Sequence, residues 1–141
     1  MPTIKVSVPT SLSPEQVLER LTDFGPARAE AWSTVDAEGL TVHDQGPDWA
    51  EVTEGNKLGW ERERYTWNAD SRTVTAVTLE SNLWKAGSGW DYVITPDGNG
   101  SRVDVTARRE GFGIKGRLVA ALLSILGSRV IRSGTAKALK V

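Results

Sequence analysis

The last third of the chain constrains the fold most. A turn, Pro96-Asp97-Gly98-Asn99-Gly100, leads into an alternating run from Ser101 to Thr106. Residues of this kind take the backbone angles that a tight hairpin needs. A bend at Gly111-Phe112-Gly113 follows, and then one helical pattern from about Ile114 to Leu139. A strand hairpin that runs into a single long C-terminal helix predicts a curved sheet closing around that helix. A fold of this shape encloses a pocket.

The upstream sequence supplies the rest of such a sheet. Thr3 to Val8 alternates apolar and polar residues with the period of a half-buried strand, and Pro9 ends it or lies on an edge. Ser13-Pro14-Glu15-Gln16 has the form of a capping box with proline at the first helical position. Val17, Leu18 and Leu21 give that helix an apolar face, and Asp23-Phe24-Gly25-Pro26 breaks it. A second short helix is expected over Ala27 to Trp32. Further strands are expected at Leu40–Asp44, Trp49–Thr53, Lys57–Trp67, Arg72–Leu79, Leu83–Thr95 and Arg102–Arg109, with an interruption or bulge at Gly87-Ser88-Gly89. Short connections argue for an antiparallel meander.

Leu118 through Leu126 covers most of the circumference of the long helix with apolar side chains, which predicts burial on more than one side. Gly127 and Gly134 mark places for a kink or a close approach. This stretch is interrupted by Ser124 and is far shorter than the roughly 20 apolar residues of a membrane span.

With 141 residues, the chain reads as one domain over 1–141. It has no cysteine, which excludes disulfides, thiolate catalysis and cysteine-based zinc sites. No charged-then-apolar leader follows Met1, so a cytoplasmic protein is the expectation. The net charge of −1 gives no reason to expect nucleic acid as a partner. The charge is unevenly spread, however. From Gly111 onward there are six basic residues (Lys115, Arg117, Arg129, Arg132, Lys137, Lys140) and no acidic one, while the first 110 residues carry a net of −7. Pairing of the basic helix with the acidic remainder is the favoured reading, and an anionic membrane surface or protein partner the less favoured one. Six tryptophans in this length suit both a core and an aromatic-lined pocket.

The order strand, two helices, six strands, long helix resembles the helix-grip fold of the START/SRPBCC superfamily, in particular its bacterial polyketide cyclase/dehydratase-like members. The local carriers are Val6-Ser7-Val8-Pro9 before Ser13 to Leu18, then Trp90 to Pro96 and Gly100 to Thr106. At the last of these the family often shows a P…G-T-R-V-T pattern; here Ser101 replaces the first threonine and Asp104 the last. The resemblance implies an α+β fold in which a curved seven-stranded antiparallel sheet wraps the C-terminal helix, with two short helices after the first strand. These motifs specify fold and not chemistry, because the superfamily includes binders, lipid carriers, cyclases and regulators.

Candidate site residues therefore rest on strand parity. In Lys57–Trp67 one face carries Leu58, Trp60, Arg62 and Arg64; the other carries Glu61, Glu63, Tyr65 and Trp67. Pointing inward, Trp60, Arg62 and Arg64 offer stacking surface and guanidinium donors for a carboxylate, enolate or phenolate. Pointing outward, they form a solvated face, the commoner arrangement for arginine on a strand. Trp90 and Tyr92 share a face with Ile94 directed at core or pocket, and Tyr92 is a phenol donor for a ligand carbonyl. Tyr65 is a weaker candidate of the same kind. His43, the only histidine, is a candidate acid or base, although its strand neighbours look solvent-facing. Glu61, Glu63 and Glu110 are general bases if buried and surface ion-pair partners otherwise.

No metal and no cofactor are expected: there is no ligand spacing, phosphate loop or dinucleotide fingerprint. The leading expectation is binding of a hydrophobic, polyketide-like or lipid-like small molecule by a monomer or homodimer. A cyclase or dehydratase, and a regulatory or membrane-binding module using the basic helix, are the alternatives.

Overall fold

The computed structural model of the chain describes residues 1–140. The elements are β1 (Thr3–Thr10), α1 (Pro14–Leu21), α2 (Ala27–Ala31), a 3-10 turn (Ala37–Gly39), β2 (Thr41–Gln45), β3 (Trp49–Gly55), β4 (Trp60–Asn68), β5 (Thr73–Ser81), β6 (Gly89–Asp97), β7 (Gly100–Arg108) and α3 (Gly113–Ala138). The seven strands form one antiparallel sheet in the order β1-β7-β6-β5-β4-β3-β2. It is the curved sheet expected around a long C-terminal helix.

Local chemistry sets the boundaries. Ser13 and Gln16 close the capping box in both directions, the Gln16 amide donating to Ser13 Oγ at 3.2 Å and the Ser13 amide to Gln16 Oε1 at 2.9 Å. The β6–β7 hairpin turns at Gly98, which takes a φ of +56°. The expected strand from Leu83 does not begin until Gly89. Gly87, at a φ of +90°, turns the chain, and Trp84 makes only an isolated bridge to Gly111. The interruption expected at Gly87-Ser88 is thus present, and two register shifts join it: β4–β5 between Arg62 and Glu63, and β2–β3 between Val42 and Asp44.

Small residues opposite large ones shape the inner face. Ala50, Tyr65, Ala76, Trp90 and Ala107 lie side by side across β3 to β7. The next row is Trp67, Val74, Tyr92, Val105 and Val6. The alanines leave room beside the rings, so the aromatic side chains rise from the sheet without filling the whole interior. Val8, Val17, Leu21, Val52, Val103 and Leu139 complete the core between the sheet and the helices.

The long helix packs on β1 by one narrow face: Gly116, Gly127, Ile131, Thr135 and Ala138 are buried. Gly116 sits against the Leu83 carbonyl, where a side chain would collide with backbone, and a Cβ on Gly127 would come within 2.6 Å of Ile4 Cδ1. The close approach expected at Gly127 is therefore present, while nothing crowds Gly134. Burial on more than one side is not what forms. Ile114, Leu118, Leu122, Ile125, Leu126 and Val130 are exposed, because α3 packs on β1 by one face and turns Val119 and Leu123 to the cavity beside it, which leaves the opposite side uncovered. Pairing of the basic helix with the acidic remainder is absent too. Among the described residues, neither the helix's five cations nor Lys140 beyond its end takes part in an ion pair. No described helix is long and apolar enough to cross a membrane.

Candidate functional site

A cavity of about 410 Å³ lies between the sheet, the 32–35 segment and α3. Its apolar lining includes Trp32, Leu83, Trp84, Trp90, Leu123 and Ile131. Two polar clusters face it, each built on a buried arginine.

Arg28, on the five-residue α2, anchors the first cluster. Its Nε and Nη2 donate to Glu54 Oε2 and Oε1 at 2.9 and 3.1 Å, its Nη2 also to Tyr65 Oη at 2.8 Å, and its Nη1 to the Leu21 carbonyl at 3.1 Å. The Tyr65 hydroxyl donates in turn to Glu54 Oε1 at 3.2 Å. Phe24, Trp32 and Tyr65 rings lie 4.7, 5.6 and 5.3 Å from the guanidinium carbon. Burial opposes the charge, but Tyr65 and Glu54 outweigh it, and the guanidinium holds its proton more tightly than a free arginine.

The second cluster joins β4, β5 and the end of β7. Arg109 Nη1 donates to Glu61 Oε1 at 2.6 Å, and Thr78 Oγ1 donates to the same oxygen at 2.8 Å. Arg109 is flanked by Trp90 at 4.3 Å and Trp84 at 5.1 Å. Its Nε and Nη2 are buried without a partner among the described residues. Between Glu61 and Tyr65 on the same face of β4 lies Glu63, 1% exposed, with Oε2 also unpartnered. Burial first, then the charges of Glu61 and Glu54, push its carboxyl well above the ordinary value of 4.5. Its protonated form is the one that burial favours. Burial likewise raises both Tyr65 and Tyr92, leaving two neutral phenols on the cavity wall.

Strand parity decides the fate of the sequence candidates. Trp90 and Tyr92 line the cavity. Arg62 and Arg64 do not: both project from the opposite face of β4, where Arg62 meets Glu51 at 3.2 Å and Arg64 covers the Trp49 ring at 4.5 Å. The inward arrangement fails because Glu61, Glu63, Tyr65 and Trp67 occupy the inner face. Trp60, at the start of β4, is exposed and does not line the cavity. His43 is exposed on the edge strand and bonds only to Thr53 Oγ1, at 2.7 Å. Glu110 pairs loosely with Lys85 at 3.8 Å. Sequence reasoning passed over Arg28, Glu54 and Arg109. The available signal for Arg28 was its place midway between two aromatic residues, Phe24 and Trp32, four residues from each. Among the described residues no group of acidic or histidine side chains could hold a metal ion.

A meander gripping a C-terminal helix over a cavity defines a helix-grip protein. The family described as polyketide cyclase / dehydrase and lipid transport matches residues 1–140, and the chain belongs to it. No curated protein matches the sequence. Solved structures share the fold at low identity. A Thermus thermophilus protein is 17% identical with a TM-score of 0.78, the match covering 98% of this chain and 97% of that one. The Zhui aromatase/cyclase from Streptomyces sp. R1128 is 10% identical with a TM-score of 0.78, covering 97% and 91%. A START superfamily protein from Mycobacterium smegmatis is 12% identical with a TM-score of 0.71, covering 97% and 96%.

Proposed function

We propose that the protein binds a hydrophobic, polyketide-like or lipid-like small molecule in the cavity between the sheet and α3. The observation that carries this reading is the cavity's construction: an apolar, tryptophan-rich wall with its charged groups confined to two arginine clusters. Its volume lies within the range of small-molecule sites, and a few placed polar groups in an apolar pocket orient a ligand. Trp90 and Tyr92 are ligand contacts in this reading, and Arg109, with its unpartnered N–H groups, meets the ligand's oxygen atoms.

Native mass spectrometry of protein purified from its own host, followed by denaturing extraction, tests the reading. A discrete bound molecule is the expected result. Titration with the apolar probe anilinonaphthalene sulfonate should change tryptophan fluorescence, and Trp90→Leu should reduce that change. A clean apo mass together with an unresponsive emission would reject it.

A second reading, a cyclase or dehydratase, is favoured by the two phenols, Tyr65 and Tyr92, on the cavity wall. Tyr92 would donate to a substrate carbonyl as it gains enolate character, while the walls hold a flexible chain in a reactive conformer. Turnover of a polyketide-like substrate should then fall at least about tenfold in Tyr92→Phe; equal rates would remove this role.

A further inference from the structure

The outer face of α3 is a feature of the molecule that the cavity does not explain. Ile114, Leu118, Leu122 and Ile125 are 82%, 64%, 61% and 78% exposed, and Phe112 beside the helix start is exposed as well. Their spacing places them in one stripe opposite the glycine-lined face on β1. Lys115 and Arg117 flank the stripe near its start, and Arg129 and Arg132 continue it. None of these cations pairs within the chain among the described residues, and no acidic residue lies on the helix.

We infer that this face docks on an anionic lipid bilayer, with the helix lying in the interface plane. Exposed leucine, isoleucine and phenylalanine side chains enter the acyl boundary, and the flanking lysine and arginine groups meet the lipid phosphates. The charge pattern is what selects this occupant. A second copy of the chain would bring two like-charged helices together. The stripe is also too small for that role: it runs about 18 Å from Ile114 to Leu126 and is one helix, roughly 10 Å, wide. A stable dimer buries about 800 Å² on each partner. Exposed Leu58 and Val130 both line the cavity, so its mouth lies between the β3–β4 hairpin and the docking helix. The docking surface is independent of whether that cavity takes a ligand.

Flotation with vesicles of equal parts phosphatidylcholine and phosphatidylglycerol tests the inference, with pure phosphatidylcholine vesicles and a size measurement of the protein alone in parallel. Wild type should float with the anionic vesicles at low salt, be released at high salt and ignore the neutral ones. The double variants Leu118→Glu/Ile125→Glu and Arg129→Glu/Arg132→Glu should each bind at least about tenfold more weakly. All four positions are exposed, so unchanged circular dichroism and melting will certify the fold. Absence of wild-type binding at low salt would overturn the inference. So would binding that survives both double variants, or a dimer that Leu118→Glu/Ile125→Glu dissociates in a protein that ignores vesicles.

Discussion

The inner and outer arginines of this protein have the same side chain and opposite lives. Arg28 and Arg109 side chains are each 3% exposed, whereas that of Arg62 is 40% exposed. Inside, a guanidinium is tolerated only with partners already in place. Arg28 has a carboxylate fork, a phenol and a backbone carbonyl, and is flanked by three aromatic rings. Outside, Arg62 has one carboxylate contact and Arg64 one indole, and water supplies the rest. The two inner arginines differ as well. Arg28 uses its whole fork within the chain, while Arg109 leaves two donors without a partner and relies on the indoles around it. The first holds α2 to the sheet; the second keeps two donors unused beside the cavity.

Removing an inner partner should have the largest effect. Arg28→Met leaves the Glu54 carboxylate facing the cavity unpaired and should cost about 3–5 kcal/mol in urea unfolding. Adding Glu54→Leu should restore much of that loss, since the stranded charge goes with it. If the double variant is no more stable than the single one, the ion pair is not what fails.

The buried acid between the clusters comes next. Native Glu63 keeps its proton above pH 4.5, where the unfolded chain releases its own. Stability from this group is therefore complete below about 4.5 and falls as pH rises, until the folded-state carboxyl itself ionises. Within that window the slope approaches about 1.4 kcal/mol per pH unit. Glu63→Gln should flatten the profile of unfolding free energy against pH. An unchanged slope would mean that Glu63 is ionised in the native state.

The outer pair should matter least. Arg62→Ala and Arg64→Ala should each shift stability by no more than about 1 kcal/mol. Both should leave the anilinonaphthalene sulfonate titration as in wild type. A lost fluorescence response in either would place these residues back in the site.

Much of the fold was legible because its signals are local. The Ser13 box, the Gly98 turn and the period-2 runs each lie within a few residues, and the long helix within a few turns. The site was less legible because its signals are remote. Arg28 finds Glu54 26 residues away and Arg109 finds Glu61 48 away, so no short window contains both halves. Parity in β4 was ambiguous since each face mixes aromatic and charged residues. Tyr65 and Trp67 lie on the inner face, opposite Ala76 and Val74 of β5, and those small residues became neighbours only once the sheet register was known. The α3 stripe shows the same limit. An apolar circumference states that a helix can be covered twice, and only the packing shows that it is covered once.

The far end of the sheet has a consequence for life in a crowded solution. β2 is a five-residue edge strand, exposed throughout, whose ladder with β3 is dislocated around His43. A regular edge would offer a continuous row of amides and carbonyls to any strand from a neighbouring molecule. Here the row is short and broken, Asp44 sets a carboxylate on it, and Gly46-Pro47 ends it with a residue that has no amide to donate. The open sheet that makes space for the cavity is thereby kept from becoming a seed for strand-by-strand aggregation.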